Sequence, residues 1–311
     1  MAQPAARDSD DQAKRQIINF VTDFTIETTP GSALKILDYR EHLRPGTKVA
    51  VTFLPGSDFA DTITTAARLK AEGFDPLPHF AARSIPSEAL LETWLKQLQD
   101  EVGITEVVAL GGAVDKPLGP FDSSMALLET GLFDKYGIRK IGVAGHPEGS
   151  PDISDQAIKE ALAWKNAFAE RSGAAIYIAT QFCFEAAPII AWDRAIQSQG
   201  NKLPIHIGVP GLATIKTLLN HARACGVGPS MRFLTRQARN ITKLMTVSAP
   251  DKLVLELARY RAEDPGCGIA RVHVYPLGGL RRSAAWTYAV VDGDFSLKPG
   301  DKGFTIDRDI G

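Results

Sequence analysis

Several side chains that could do chemistry stand where short apolar runs of the sequence end. Glu27 lies at the end of DFTIET, His79 lies in PLPHFA and Gln181 lies in IYIATQF. A carboxyl group, an imidazole and an amide can move a proton and hold a polar ligand by hydrogen bonds. The other residues at such run ends are Thr52, Gly111, Gly112, His146, Glu148, Pro210 and Tyr275.

Each main candidate also has a structural interpretation. Glu27 could be a solvated rim residue, and His79 could be a core histidine bonded to a backbone carbonyl. A buried amide needs hydrogen-bond partners at both of its ends, which favours a functional role for Gln181. Gly111 and Gly112 either make a turn or let a flat ligand approach the backbone closely.

Other kinds of site find less support. No lysine lies at a run end, which disfavours a Schiff-base aldolase. A metal-dependent barrel hydrolase is a low-ranked alternative, because its ligands would come from four positions without ligand-type spacing. They would be His79, His146, Glu27 and Glu148. No metal is expected. The three cysteines, which form no CxxC, support neither a zinc site nor a disulfide framework; they are Cys183, Cys225 and Cys267.

The elements that must position these residues follow a regular order. Eight β-rich apolar runs recur, and several are continuously apolar, as expected of parallel strands covered on both faces. They span residues 23–28, 48–53, 76–81, 106–112, 140–146, 176–182, 204–210 and 271–277. Helical patterns lie between them, many opening on Ser or Asp and closing near Gly. They span residues 32–43, 57–73, 87–103, 154–173, 229–246, 250–263 and 281–291.

This alternation predicts an α/β fold, a (β/α)₈ TIM barrel with extra helices before the eighth strand. In such a barrel the carboxyl ends of the strands carry the active site. The rival fold is a doubly wound open sheet, which usually binds a dinucleotide through GxGxxG. No such stretch occurs, so the barrel is favoured.

Composition limits the partners and the domain plan. The 311 residues are 44% hydrophobic and carry a net charge of −1. A chain with this net charge has neither the excess of basic residues that is typical of nucleic-acid-binding proteins nor a polybasic patch for a membrane surface. No apolar stretch reaches the length of about 18 residues that suggests a membrane-spanning helix. We expect a soluble cytoplasmic protein. The composition is also compatible with a homo-oligomer. Residues 1–18 read as a disordered tail, 19–295 as one barrel catalytic domain and 296–311 as a C-terminal tail.

The order of several motifs resembles the methylenetetrahydrofolate reductases, a family of flavin-dependent (β/α)₈ barrels. IATQFCFE (178–185) resembles the family's I-T-Q-F-F-F-D, and VVALGGA (107–113) its V-A-L-R-G-D. IGVAGHPEG (141–149) is similar to I-G-V-A-G-Y-P-E-G. PHFAA, HVYPL and FTIETTP are weaker matches to P-H-L-T-C, F-Y-T-L and F-E-F-F-P-P. The resemblance covers about residues 20–290.

The resemblance implies a role for each matching residue. Glu27 falls on the family's catalytic glutamate, the general acid that protonates N10 of the folate. Gln181 falls on the glutamine that contacts the pterin and the nicotinamide, and Tyr275 and Leu277 match residues that line the same pocket. The positions implied to contact the flavin are Thr52, His79, Gly111, Gly112, Ala113, His146 and Lys165.

The departures from the family pattern concern the cofactor and pterin surroundings. The family's arginine and aspartate of R-G-D are Gly111 and Ala113 here, and its tyrosine is His146. The resemblance therefore implies a divergent member. It would interconvert 5,10-methylenetetrahydrofolate and 5-methyltetrahydrofolate through FAD, with NAD(P)H as co-substrate, in methionine biosynthesis or one-carbon catabolism. The alternative is a flavin-free pterin- or folate-binding protein or accessory subunit of a one-carbon pathway.

Overall fold

The eight barrel strands of the computed structural model match the predicted apolar runs. The model describes residues 4–224, 245 and 247–310. Its strands are β1 (Thr25–Thr28), β2 (Lys48–Val51), β3 (Asp75–Ala81), β4 (Glu106–Leu110), β5 (Lys140–Gly145), β6 (Ala175–Phe182), β7 (Ile205–Pro210), β8 (Ala213–Thr214), β9 (Val247–Ser248), β10 (Ile269–Tyr275), β11 (Phe295–Leu297) and β12 (Phe304–Ile306). Among the residues described, eight parallel strands close into a barrel in the order β1-β10-β7-β6-β5-β4-β3-β2. The predicted (β/α)₈ fold class is confirmed.

Helices alternate with the barrel strands. They are α1 (Pro4–Val21), α2 (Pro30–Ala33), α3 (Phe59–Ala71), α4 (Glu88–Val102), α5 (Ser124–Glu129), α6 (Leu132–Lys135), α7 (Asp155–Ser172), α8 (Ala186–Ser198), α9 (Ile215–Ala224), α10 (Asp251–Glu263) and α11 (Leu280–Val291). Helix α10 confirms the extra helix predicted at 250–263. The one predicted at 229–246 falls almost entirely outside the described residues. No helix in the part of the chain described here is long and apolar enough to cross a membrane.

The chain divides into two compact units. The first comprises Met1–Phe24, His146–Asp155 and Thr180–Gly311, and the second comprises Thr25–Gly145 and Gln156–Ala179. The second unit contains β1 to β5, paired in parallel with a regular register. The expectation of one catalytic domain over residues 19–295 remains a prediction.

Local sequence signals explain the long helices of the second unit. Helix α4 begins after Ser87, whose hydroxyl accepts a hydrogen bond from the Leu90 amide at 3.2 Å. It ends at Gly103, which adopts the left-handed conformation with φ of 66°. Ser at the start and Gly at the end are the preferred caps of a helix, because they satisfy backbone groups that the helix leaves unpaired. These caps fix where strand β4 can begin.

The amino-terminal segment corrects one expectation. Residues 4–21 form α1, and Ala13, Ile17 and Phe20 on one face are buried. The spacing of these three residues, four and then three apart, is that of an amphipathic helix. Burial of that face stabilises the helix, so the expected disordered tail is wrong for residues 4–18. The segment was predicted to be disordered because its overall composition is polar, although it contains this short apolar stripe.

The carboxyl-terminal segment is also ordered where it was expected to be a tail. Strands β11 and β12 form an antiparallel hairpin. The rings of Phe295 and Phe304 lie 4.7 Å apart and are buried, and Trp286 stacks on Phe304. The hairpin therefore extends the core of the first unit.

The segment after β1 forms less helix than predicted. A helix over residues 32–43 was expected, but the chain makes only α2 and a 3₁₀ turn at Tyr39–Glu41. Arg68 donates to the backbone carbonyls of Ala33, Ile36 and Leu37 at 2.7–2.9 Å. These carbonyls are therefore bonded to a side chain of α3 rather than to the amides that would continue a helix.

Candidate active site

In the second unit, Glu27 and His79 come together. Glu27 pairs with Ala50 of β2, and Ala50 pairs with Leu77 of β3. His79 is two residues beyond Leu77, so its side chain points to the same face of the sheet. The Glu27 Oε1 and His79 Nε2 atoms are 3.9 Å apart, and the side chains are only 13% and 6% exposed. Sequence analysis singled out both residues, and the fold makes them neighbours.

The neighbouring residue of β1 fixes the direction of Glu27. Successive side chains on a strand point to opposite faces. The Thr28 hydroxyl is within hydrogen-bond distance of the Tyr39 hydroxyl, at 2.8 Å, in a buried position. Glu27 is thereby held on the other face. This arrangement favours a placed carboxyl group over a solvated rim residue.

Thr52 follows directly after β2. Its backbone amide donates to the Thr28 carbonyl at 2.8 Å. Its hydroxyl oxygen is buried and has no hydrogen-bond partner among the described residues. A buried polar atom left without a partner costs about 1–3 kcal/mol. A ligand with a polar edge could satisfy this hydroxyl.

The two glycines after β4 lie against the end of β3. Gly112 has φ of +90°, and a Cβ there would lie 3.2 Å from the Cβ of Ala81. Gly111 has open space where a side chain would project. Ala113 is exposed. Gly112 therefore needs the backbone freedom of glycine, and Gly111 leaves backbone accessible. The close approach of a flat ligand remains a prediction.

Lys165 differs from a free surface lysine. It is the buried residue of α7, and its Nζ donates to the Ala144 carbonyl at 3.0 Å. Burial lowers the pKa of Lys165 to about 8. The amine thus binds the main chain at the end of β5 and is turned away from solvent.

In the first unit, Gln181 sits on a strand end held by its neighbours. The Thr180 hydroxyl accepts from the Gly208 amide at 2.8 Å and donates to the Gln181 carbonyl at 2.9 Å. The Tyr275 hydroxyl donates to the Thr180 carbonyl at 2.7 Å. Tyr275 therefore orients the main chain beside Gln181, a role that its motif alone did not suggest.

Leu277 and Tyr275 also belong to an apolar cluster. Both are partly buried against a group of buried side chains that includes Phe182 and Leu218. The Phe182 and Tyr275 rings meet edge to face with centroids 5.3 Å apart. The predicted pocket-lining role of these two residues remains a prediction.

His146 and Glu148 lie on the turn after β5. The Gly149 amide donates to the His146 carbonyl at 3.1 Å. Burial raises the pKa of the Cys183 thiol well above its ordinary value, and the charge of Glu148 adds to this effect. Cys183 is therefore an inert buried thiol. Among the residues that the structure describes, no cluster of three or more histidine, cysteine or acidic side chains could hold a metal ion.

Sequence reasoning missed two residues near these positions. Thr180 was read only as part of the TQF motif, and Arg83 was not singled out. Arg83 directly follows the strand that carries His79, and its amide donates to the Gly111 carbonyl at 2.9 Å. An arginine just past a barrel strand was the available signal.

The described residues fit a flat, hydrogen-bonding cofactor such as a flavin. The unpaired Thr52 hydroxyl and the open backbone at Gly111 supply a polar contact and room for a ring. The Lys165 amine, in contrast, is already bonded to a backbone carbonyl. These residues therefore suit the flavin ring better than they suit a charged diphosphate group.

A family comparison covers most of the barrel. The model of the family described as Methylenetetrahydrofolate reductase matches residues 28–274, which is more than half of the chain. Glu27 lies one residue before that stretch.

A solved structure shows a similar fold. An uncharacterised protein from Clostridium thermocellum, which binds two copies of 5-methyl-5,6,7,8-tetrahydrofolic acid, is 13% identical with a TM-score of 0.51. The match covers 90% of this chain and 97% of that one. A dihydropteroate synthase from Thermus thermophilus is 11% identical with a TM-score of 0.38, over 86% of this chain and 92% of that one. At 13% identity the likeness to the first protein concerns the fold alone, and a TM-score of 0.38 supports no conclusion for the second.

Proposed function

Since the chain belongs to the methylenetetrahydrofolate reductase family, we propose that it interconverts 5,10-methylenetetrahydrofolate and 5-methyltetrahydrofolate, with FAD as cofactor and NAD(P)H as co-substrate. The observation that carries the proposal is the buried pair of Glu27 and His79 at 3.9 Å. It lies toward the carboxyl ends of β1 and β3, which is where barrel enzymes hold their catalytic groups. The 5-methyltetrahydrofolate bound by the structurally similar protein agrees with this substrate class.

Glu27 would act as the general acid. In the reductive direction its carboxyl group donates a proton to N10 of 5,10-methylenetetrahydrofolate, which breaks the N10–carbon bond and leaves an iminium ion. A hydride then completes the methyl group, so one proton and one hydride are consumed for each NAD(P)H oxidised. A carboxyl group in a largely buried position is suited to hold a proton near neutral pH. The neighbouring His79 would hold the carboxyl group in orientation.

FAD, when bound, would relay the hydride between the nicotinamide and the exocyclic carbon of the folate. Thr52, Gly111 and Gly112 would hold it by a hydroxyl contact and by accessible backbone, with Ala113 at the edge. His79, His146 and Lys165 remain proposed contacts from the family resemblance. The residues proposed to contact the folate are Gln181, Tyr275 and Leu277.

A second candidate function has an observation of its own. Lys165 is buried and bonded to the Ala144 carbonyl, so its cation is not presented to a diphosphate group. Gly111 and Ala113 carry no charge either. These features favour a flavin-free folate-binding protein that keeps the pterin pocket and lacks the redox cofactor.

One experiment separates the two candidates. The purified protein is denatured to measure released flavin, and the native protein is titrated with 5-methyltetrahydrofolate by calorimetry, before and after incubation with FAD. The proposed function predicts stoichiometric flavin uptake and folate binding by the flavin-loaded protein. Folate binding with no uptake of FAD would favour the flavin-free protein. Absence of folate binding in both forms would overturn both candidates.

A further inference from the structure

Arg83 is bonded through its main chain to two positions of the loop that follows β4. It lies in the 3₁₀ turn Ala82–Ser84, directly after β3. Its amide donates to the Gly111 carbonyl and its carbonyl accepts from the Leu118 amide, both at 2.9 Å. The bond to Gly111 continues the pairing of β3 with β4 beyond the last strand residues, and the bond from Leu118 joins a later part of the loop to the same residue.

The guanidinium group of Arg83 binds the same loop at two further points. Its Nε donates to the Asp122 carbonyl at 2.9 Å, and its Nη1 donates to the Val114 carbonyl at 3.4 Å. The planar fork of an arginine suits two carbonyls in fixed positions, because little side-chain freedom is lost for each bond formed. One residue thus contacts the loop at four positions between 111 and 122. We call residues 111–122 the β4 loop.

Glycines let the β4 loop lie directly on the chain that follows β3. A Cβ at Gly119 would lie 2.3 Å from the Pro86 carbonyl oxygen, a distance that no side chain could occupy. At the other end of the loop, Gly112 approaches Ala81 and has φ of +90°. The loop is therefore seated at both ends and bonded along its length.

We infer that Arg83 is a positioning residue that holds the β4 loop as a preformed wall for the flavin ring. The inference rests on the proposed function, because the wall contains Gly111 and Gly112, the backbone that would face the ring. The four hydrogen bonds between Arg83 and the loop are called the clamp below. Leu118 is 66% exposed although its amide is bonded to Arg83, so the clamp also holds an apolar side chain in water. Ordering a loop at the moment of binding weakens affinity, and a wall that is already ordered avoids this cost.

The test compares Arg83→Met and Arg83→Lys with Lys116→Met. The two Met variants remove the same charge, but Lys116 is an exposed residue within the β4 loop and makes none of the clamp contacts. Arg83→Lys keeps the charge and loses the fork, and it serves as the second variant if Arg83→Met fails to fold. Hydrogen exchange at the Leu118 amide is measured in flavin-free protein before and after FAD is added, and the Kd for FAD is measured by titration of the flavin-free protein.

We expect the Leu118 amide to be protected in the parent before ligand is added, with little change afterwards. In both Arg83 variants it should exchange at least about tenfold faster without ligand and regain protection on binding. The Kd for FAD should rise about tenfold while kcat at saturating FAD changes little, because the ordering cost moves into the binding step. Lys116→Met should match the parent.

Two results would overturn the inference. One is an unchanged exchange rate at Leu118 in the Arg83 variants, and the other is a Kd for FAD within twofold of the parent despite faster exchange. A parent that takes up no FAD would instead overturn the proposed function, and the exchange rates in flavin-free protein would still decide whether Arg83 holds the loop.

Discussion

His79 Nε2 lies 3.9 Å from Glu27 Oε1, and both side chains are almost completely buried. An imidazole at this distance from a carboxyl group can influence it electrostatically. His79 is therefore the neighbour through which the proposed proton donor can be tested. The first two predictions follow from this pair.

Glu27→Gln should keep the fold but remove most folate turnover. The amide is nearly isosteric with the acid and cannot donate the proton, and general acid catalysis contributes about 10²–10⁴-fold. Oxidation of NAD(P)H by an artificial electron acceptor should continue, because it needs no acid. The control is Glu129→Gln at an exposed carboxylate. Folate turnover within a few-fold of the parent would show that Glu27 is not the acid.

His79→Gln should change the pH dependence of folate turnover. The glutamine retains hydrogen-bonding capacity but cannot titrate, so one ionisation should disappear from the pH–rate profile. We expect kcat to fall about tenfold, which corresponds to about 1.4 kcal/mol in the barrier. An unchanged profile across the whole pH range would mean that His79 does not act on Glu27.

Gln181→Ala should weaken both half-reactions. The family resemblance gives this amide contacts to the pterin and to the nicotinamide, and loss of one hydrogen bond costs about 1–2 kcal/mol for each ligand. The KM values for folate and for NAD(P)H should therefore both rise. Gln156→Ala on the exposed surface is the matched control. Altered folate kinetics with unchanged nicotinamide kinetics would argue against a shared contact.

Lys165→Met should stabilise the protein at neutral pH. The pKa of Lys165 is lowered to about 8 by burial, against about 10.4 in an unfolded chain. Between these values the unfolded chain binds more protons, so the free energy of unfolding of the parent rises with pH there. At pH 7 the variant avoids a buried ammonium and should be more stable by about 1–3 kcal/mol. Near pH 11 the variant should be as stable as the parent or slightly less stable, because it lacks the hydrogen bond from Lys165 to the Ala144 carbonyl.

Denaturant unfolding of Lys165→Met at the two pH values provides the measurement. Lys159→Met, on the exposed face of the same helix, controls for loss of a surface charge. A stability difference that is the same at both pH values would contradict the account of a burial-driven shift.

Ala113→Asp should make bound flavin harder to reduce. A carboxylate near the flavin opposes the negative charge gained on reduction. At roughly 5–7 Å and an effective dielectric of about 20 this interaction is about 2–3 kcal/mol, or tens of millivolts for a two-electron couple. Exposure of position 113 will screen part of it. The parent chain has alanine at position 113 and lacks this carboxylate. Its absence favours hydride uptake from 5-methyltetrahydrofolate and an oxidative role.

The midpoint potentials of flavin-loaded parent and Ala113→Asp protein test this prediction. The variant should have the lower potential, and Ala187→Asp, far along the chain at the start of α8, is the control. A potential that is unchanged or higher in Ala113→Asp would contradict the proposed effect. Asp115 in the same loop could reduce the difference, so its alanine variant should be measured in both backgrounds.

The barrel could be predicted because its local signals agree with the global fold. Strands such as KVAV and EVVAL are apolar after a charged first residue, and α4 carries a Ser cap and a closing Gly. The proximity of Glu27 and His79 followed once both were assigned to barrel strands. These features depend mainly on residues close together in the sequence.

The errors arose where distant residues decide the structure. The carbonyls that would continue a helix after α2 are bonded to Arg68, which is about thirty residues away, and Leu34 and Leu37 are left largely exposed. The anchoring of the β4 loop by Arg83 and of Thr180 by Tyr275 also depends on side-chain geometry that no local pattern contains.

The most direct test of the central claim is an anaerobic titration of the flavin-loaded protein with 5-methyltetrahydrofolate, followed in the visible flavin absorption band. The account predicts that the band bleaches as folate is added and returns when NAD(P)⁺ is supplied, and that Glu27→Gln bleaches far more slowly. A band that stays oxidised in the parent while 5-methyltetrahydrofolate binds would contradict the proposed oxidoreductase and leave a folate-binding protein in its place.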